Sequence, residues 1–251
     1  MKGYSGTSVF LVILIPVLGW WAVAEHKQLL SWVSIAVLML LFIAVTGLAI
    51  VKRPAGILID DRNVISLSRF QMTGWTVILL SAYVSAALFN IYAGVDDPLA
   101  VGVPKELWLA MGISTTSLVG SPLLLAQKKT KTASMTALNN TLSLLQSAGQ
   151  PLNSEKIEGQ ILGNDKPSLA QWSDMFTGDE TSNGAHIDLS KLQMFFFTLA
   201  IILSYVFALW QTFRYAQPDG ISQFPALDDS TVALLGISHS GYLASKAVPR
   251  S

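Results

Sequence analysis

The string GISHSG, Gly236 to Gly241, puts His239 between two serine hydroxyls. A base beside a hydroxyl is the raw material of a serine hydrolase. The spacing does not support that chemistry. On a helix, neighbouring side chains diverge by about 100°, so His239 faces away from both Ser238 and Ser240. The elbow pattern G-x-S-x-G also fails, because its last position is Ser240. There is no G-x-x-x-x-G-K, H-E-x-x-H or G-x-G-x-x-G string, and no cysteine to serve as nucleophile or thiolate ligand. The chain is therefore read as a non-enzyme with no cofactor and no metal. What remains is a band of small polar groups in two apolar runs: Ser114, Thr115, Thr116 and Ser117 in one, Ser238, His239, Ser240 and Tyr242 in the other. Such groups serve close helix packing or line a polar path. His239 stands apart, because an ionisable residue inside a membrane is a functional candidate by default. It is expected to line water, to bond a tyrosine such as Tyr83 or Tyr205, or to sense pH.

The elements that must position this band are membrane spans. Of 251 residues, 51% are hydrophobic and 13% charged, with a formal net charge of zero. Soluble domains carry about 25% charged residues, and a nucleic-acid partner would require a basic surface. About 20 apolar residues cross a bilayer. Ser8–Ala24, Ser31–Val51, Phe70–Ala93, Leu107–Ala126 and Leu192–Phe213 qualify, and Ser230–Val248 is a weaker sixth. The first, which ends in Ala22-Val23-Ala24 like a signal peptide, is read as a retained helix. With both termini cytoplasmic, thirteen Lys and Arg residues fall inside, among them Lys2 and Arg250, and only Lys27, Lys105 and Arg214 fall outside. That is the asymmetry that six spans require. Trp20, Trp21, Trp32, Trp75, Trp108 and Trp210 fall near predicted ends, as an interfacial belt would.

The two polar bands belong to an apparent repeat. ISLSRFQM at Ile65–Met72 returns as IDLSKLQM at Ile187–Met194. A shift of 122 also aligns Thr76 with Thr198 and Tyr83 with Tyr205; MGIS and LGIS then match after a slip of two. Two spans per copy make a parallel repeat, with a pseudo-twofold along the membrane normal. In each octet, S-x-x-Q is expected to form a capping box, Ser68 with Gln71 and Ser190 with Gln193, stapled by Leu67–Met72 and Leu189–Met194. Arg69 and Lys191 are expected to snorkel to headgroups.

Between the fourth and fifth spans, Gln127–Asp188 is polar. Met135, Leu138, Leu142 and Leu145 mark a short amphipathic helix, and Leu169, Trp172 and Phe176 after Pro167 mark a second. The rest, including GQPLNSEKIEGQILGNDKP and the acid-rich DMFTGDE, reads as solvated loop.

The strings IDDRNVISLSRFQ, IDLSKLQMFFFT and LLGISHSGYLASKAVP resemble recurrent strings in uncharacterised bacterial multi-spanning membrane proteins. The resemblance implies a bacterial inner-membrane setting and carries over no functional residues. The sequence thus predicts an all-α integral membrane helical bundle: a two-helix hairpin (1–58), repeat 1 (59–126), a cytoplasmic linker with amphipathic helices (127–186) and repeat 2 (187–251). The expected function is pore- or channel-type transport of an ion or small solute, as a homo-oligomer in the lipid bilayer. The alternative is a membrane anchor or scaffold, whose linker recruits a cytoplasmic protein through the two apolar faces.

Overall fold

The computed structural model describes residues 2–149 and 155–248. Arg250, one of the cations assigned to the cytoplasm, and residues 150–154 of the linker lie outside the described residues. The described chain forms α1 (Lys2–Ala24), α2 (Gln28–Val51), α3 (Leu67–Ala93), α4 (Lys105–Lys129), α5 (Met135–Ser147), β1 (Glu155–Glu158), β2 (Ile161–Asn164), α6 (Leu189–Arg214) and α7 (Asp229–Ala247). Helices α1, α2, α3, α4 and α6 are each long and apolar enough to cross a bilayer, as a multi-pass membrane protein requires. The helix α7 does not reach that threshold.

The chain folds as two compact units, each assembled from separated segments. The first comprises Met1–Gly56, Thr73–Met111 and Leu199–Val232. Within it, α2 stops where Lys52 turns left-handed (φ 62°) and returns its amide to Gly47 O, a C-cap geometry with Pro54 just beyond. Gly47 is required there: a Cβ would stand 2.5 Å from Arg53 O. Trp32 stacks on Phe213 with ring centroids 5.4 Å apart, and its indole donates to Ser81 Oγ at 3.0 Å. Trp75 is fully buried, its ring 6.0 Å from that of Tyr205. These two tryptophans are thus core residues and not belt residues. A large flat ring recovers more by burial than by interfacial contact when such partners are present. Trp20, Trp21, Trp108 and Trp210 are exposed, as a belt needs.

The second unit comprises Ile57–Met72, Gly112–Thr198 and Ala233–Ser251. It corrects the expectation of loop between α5 and α6. Glu155–Glu158 pairs antiparallel with Ile161–Asn164, and the tight turn at Gly159 (φ +59°) leaves no room for a Cβ against Lys129 O. Leu169, Trp172 and Phe176 do not build a helix. Two short 3-10 turns, Pro167–Leu169 and Trp172–Met175, stand there instead, because the run is too short to nucleate more. The first amphipathic helix forms as expected, with Ser134 accepting from Ala137 N as N-cap. Its apolar face covers the unit itself, since Leu138 is buried and only Met135 is largely exposed.

Candidate functional site

Two irregular turns lead into helices of the second unit. Leu58 to Ser66 closes by Ser66 N→Leu58 O (2.8 Å) and Asp60 N→Val64 O (3.0 Å), just before α3. Phe176 to Asp188 closes by Asp188 N→Phe176 O (2.7 Å) and Gly178 N→His186 O (3.1 Å), just before α6. The first turn carries Arg62, the second Asp179 and Glu180.

Asp179 is the hub of a buried ion cluster. Its carboxylate accepts from the Arg62 guanidinium at 2.8 Å, from the Lys191 ammonium at 2.9 Å, and from the Lys246 ammonium. The next residue, Glu180, takes Lys128 at 2.7 Å. Lys128 ends α4, Lys191 begins α6 and Lys246 ends α7. Two consecutive acids therefore tie the termini of three helices and the turn before a fourth. Every side chain named is at most 8% exposed. Arg62 is further held by Asp60 at 2.9 Å, and Lys191 also donates to Thr177 O at 2.6 Å. Four cations meet three carboxylates in this set. Burial alone would raise the Asp179 carboxyl; Lys191, Lys246 and Arg62 outweigh it and hold the group well below the usual carboxylate range. Burial opposes the Arg62 charge, and Asp179 with Asp60 reverses that, so the guanidinium is held more firmly protonated than usual. The expectation that DMFTGDE is a solvated loop is thus overturned, as is snorkelling by Lys191. Arg69, at the corresponding position of α3, is half-buried and donates to Ile57 O at 3.3 Å.

A cavity of about 120 Å³ adjoins the cluster, lined by Arg62, Asp179, Asp174, Gln171, Ser173 and Thr177 among others. Asp174 accepts from the amides of Ile65 (3.1 Å) and Gln171 (2.8 Å), and its carboxyl is raised chiefly by burial.

The seam between α4 and α7 runs from this cluster. On α4, Ser114, Ser117, Ser121 and Lys128 share one face at helical spacing; on α7, His239, Tyr242 and Lys246 do the same. Ser117 Oγ lies 2.7 Å from His239 Nδ1, both buried. Ser68 donates to Tyr242 OH (3.4 Å), which donates to Ser121 Oγ (3.1 Å). The Lys246 ammonium sits 4.9 Å over the Tyr242 ring. Ser114 Oγ, Ser238 Oγ and His239 Nε2 are buried with no hydrogen-bond partner among the described residues.

This sorts the sequence candidates. Ser114, Ser117, Ser238, His239 and Tyr242 are buried, and Ser117, His239 and Tyr242 bond across the seam. Thr115, Thr116 and Ser240 are exposed: Thr115 points its hydroxyl at Met72 Sδ (3.8 Å) and Thr116 back-bonds to Gly112 O (2.8 Å). Consecutive residues cannot share one helix face, which is why the two bands split. Neither tyrosine expected for His239 is its partner, since Tyr83 donates to Leu99 O and Tyr205 to Pro225 O.

The capping boxes are also corrected. The helices begin at Leu67 and Leu189, so the serines already lie inside the first turn. Asp188 is the cap of α6, its Oδ1 accepting from Ser190 N (2.9 Å), Lys191 N (3.3 Å) and Ser190 Oγ (2.5 Å). Ser190 Oγ is also 3.0 Å from Ser245 Oγ. Gln71 reaches across to α6 and donates to Thr198 Oγ1 (2.8 Å) and Met194 O (3.2 Å), whereas Gln193 is exposed. Leu189, 73% exposed, makes no staple. Of the partner-face candidates, Leu142 is half-buried, Leu145 and Leu169 line the cavity, Phe176 stacks edge-on to Phe195 at 5.1 Å, and Trp172 is 56% exposed against Phe70. Set beside family models, curated proteins and solved structures, the chain matches none.

Proposed function

We propose that this chain is a pore- or channel-type transport protein of six spans, with the α4–α7 seam as its polar path. The observation that carries the reading is a trio of orphaned polar atoms on those two helices, Ser114 Oγ, Ser238 Oγ and His239 Nε2. A buried polar group without a partner costs about 1–3 kcal/mol. Small polar residues that serve helix packing ordinarily bond across it, whereas water or a passing solute would meet the demand of atoms left unbonded. Counting α7 as the sixth span is supported by its 19-residue length and by Lys246 in its last turn. The parallel repeat is supported by helix starts: Leu67 and Leu189 are 122 positions apart, Lys105 and Asp229 are 124 apart. In the turns before α3 and α6, Ser66 and Asp188, 122 positions apart, each donate their amide back to a carbonyl at the start of the turn, Leu58 O and Phe176 O. A homo-oligomer in a bacterial inner membrane, termini cytoplasmic, completes the proposal. Flux from liposomes carrying wild type or His239→Ala tests it: a loss on substitution is expected, and flux in neither protein defeats it.

The anchor reading draws on a different observation. The stretch around Asp179 is not a loose tether but a folded body clipped to helix ends, which suits presentation of an exposed Trp172 to a cytoplasmic protein. Capture of a partner by wild type and not by Trp172→Ala would favour it.

A further inference from the structure

An aromatic row crosses the starts of α3 and α6. Trp172 meets Phe70 edge-on with ring centroids 6.4 Å apart, Phe70 lies 5.8 Å from Phe195, and Phe195 lies 5.5 Å from Phe196. Both ends of the row are open, Trp172 at 56% exposure and Phe196 at 59%. The two rings between them are half-buried. Phe196 stands seven residues into α6, about 10 Å along the axis from Leu189, on a helix long and apolar enough to cross the bilayer. An exposed phenylalanine at that depth has lipid as its neighbour. We infer that the row carries this lipid contact outward, and that Trp172 seats between headgroups and acyl chains at the membrane face where α3 and α6 begin. The partner of the exposed indole is then the bilayer and not a cytoplasmic protein. The inference rests on α3 and α6 as spans and not on the transport reading.

Three observations support this placement, and the first is depth. With 27 residues in α3 and 26 in α6, each helix runs about 40 Å against a hydrocarbon core of about 30 Å. About 5 Å of each end is left for the headgroup layer. Phe70 lies three residues, about 4.5 Å, from the first residue of α3. It therefore stands at the hydrocarbon boundary, with the Trp172 ring against it. Second, the turn that carries Trp172 is tied to this level. Asp174 accepts from the Ile65 amide at 3.1 Å, and Ile65 is two residues before α3. The same carboxylate accepts from Gln171 N at 2.8 Å, which closes the turn around Trp172. Third, the approach to α6 is apolar and open, with Ile187 at 74% exposure and Leu189 at 73%. Exposed aliphatic side chains at the mouth of a span with a tryptophan at the same helix starts form an interfacial belt. There an indole offers its ring to acyl chains and its N–H to the headgroup region. The turn Trp172–Met175 is thus a surface anchor beside the spans.

The chain has no cysteine, so Trp172→Cys and Phe196→Cys each offer a single thiol for a nitroxide label. The full-length variants are placed in vesicles of phosphatidylcholine and phosphatidylglycerol. Collision of the label with oxygen, which concentrates in lipid, is compared with collision with a water-soluble nickel chelate, and lipids labelled at known depths set the scale. At position 172, oxygen collisions are expected to exceed nickel collisions, at a depth shallower than at position 196. Nickel-dominated collision at 172 overturns the inference and leaves Trp172 facing water, as the anchor reading requires. Low collision with both reagents also overturns it, because a second copy or another protein then covers the ring. A label at 196 that reads water removes the spans on which the inference rests, and the inference with them. Because a label replaces the ring, the native side chain is read separately, as the tryptophan emission of wild type minus that of Trp172→Phe. That difference is expected to be quenched by lipids brominated near the headgroup end of the acyl chain and spared by aqueous iodide; the reverse overturns the placement. None of these outcomes depends on flux, so loss of the transport reading leaves the inference standing.

Discussion

In the first unit, several buried polar side chains are neutral and bond neutral partners, although Glu106 is also buried and Trp75 Nε1 has no partner among the described residues. Trp32 bonds Ser81, Ser85 bonds Ser31 at 3.0 Å, and Asn90 clamps the backbone of Ile221 with bonds of 2.9 and 2.7 Å. Its ion pairs, Glu25 with Lys27 and Lys105 with Glu106, each involve a largely exposed lysine. In the second unit, by contrast, the ion pairs of Asp179 and Glu180 are buried, and polar atoms of the α4–α7 seam are left without partners. A charge taken out of water costs several kcal/mol unless its partner is well placed. The two units therefore differ in how they hold charge: the second buries its ion pairs, and the first keeps a lysine of each pair in solvent.

The contrast can be broken most severely at Asp179. Replacing it with Ala leaves three buried cations facing one another, and a loss of about 3–5 kcal/mol is expected from unfolding in detergent. A loss below about 1 kcal/mol would mean that water reaches the cluster and that the units are alike. The pH dependence sharpens the same point. The folded Asp179 carboxyl is depressed relative to its unfolded value of about 3.9, so its stabilisation is complete above that value and fades as pH falls through the folded one. The stability difference between wild type and Asp179→Asn should therefore be constant from pH 8 to about 5 and shrink only below about 4. A difference that already shrinks between pH 7 and pH 5 would contradict the assignment.

Smaller effects are expected in the first unit. Trp32→Phe loses the bond to Ser81 and orphans no other buried charge, so it should cost about 1 kcal/mol and leave flux untouched. A flux defect in that variant would erase the functional division between the units. Least of all, Met135→Ser at the exposed start of α5 should change stability by no more than about 0.5 kcal/mol. A large effect there would point to a covering partner and favour the anchor.

Five spans were legible because twenty apolar residues have few other uses, and α5 because Met135, Leu138, Leu142 and Leu145 keep a 3-4-3 spacing. His239 was legible because an imidazole in an apolar run is conspicuous. The cluster was not. Lys128, Lys191 and Lys246 were read as topological charges at span ends, since position along the chain says where a cation emerges and not what it meets. Asp179 lies 117 residues from Arg62 and 67 from Lys246, and no local pattern encodes a pairing at that range. One signal was available: a net charge of zero in a chain with thirteen cations assigned to one side calls for acids on that side too, and DMFTGDE supplies three. The capping boxes failed for a different reason. S-x-x-Q fits the motif, but in α6 Asp188 is the cap two residues earlier, and in α3 Gln71 bonds across to α6 instead of back to its own helix start.

The most direct test is ion flux from liposomes holding wild type beside His239→Ala, with both proteins shown to be folded and inserted. If the proposed path runs along the α4–α7 seam, where Ser117 and His239 meet, measurable flux is expected in wild type and a marked loss in the variant. Equal flux in the two would remove the α4–α7 seam as that path, and silence in both would leave the second unit as a charged anchor.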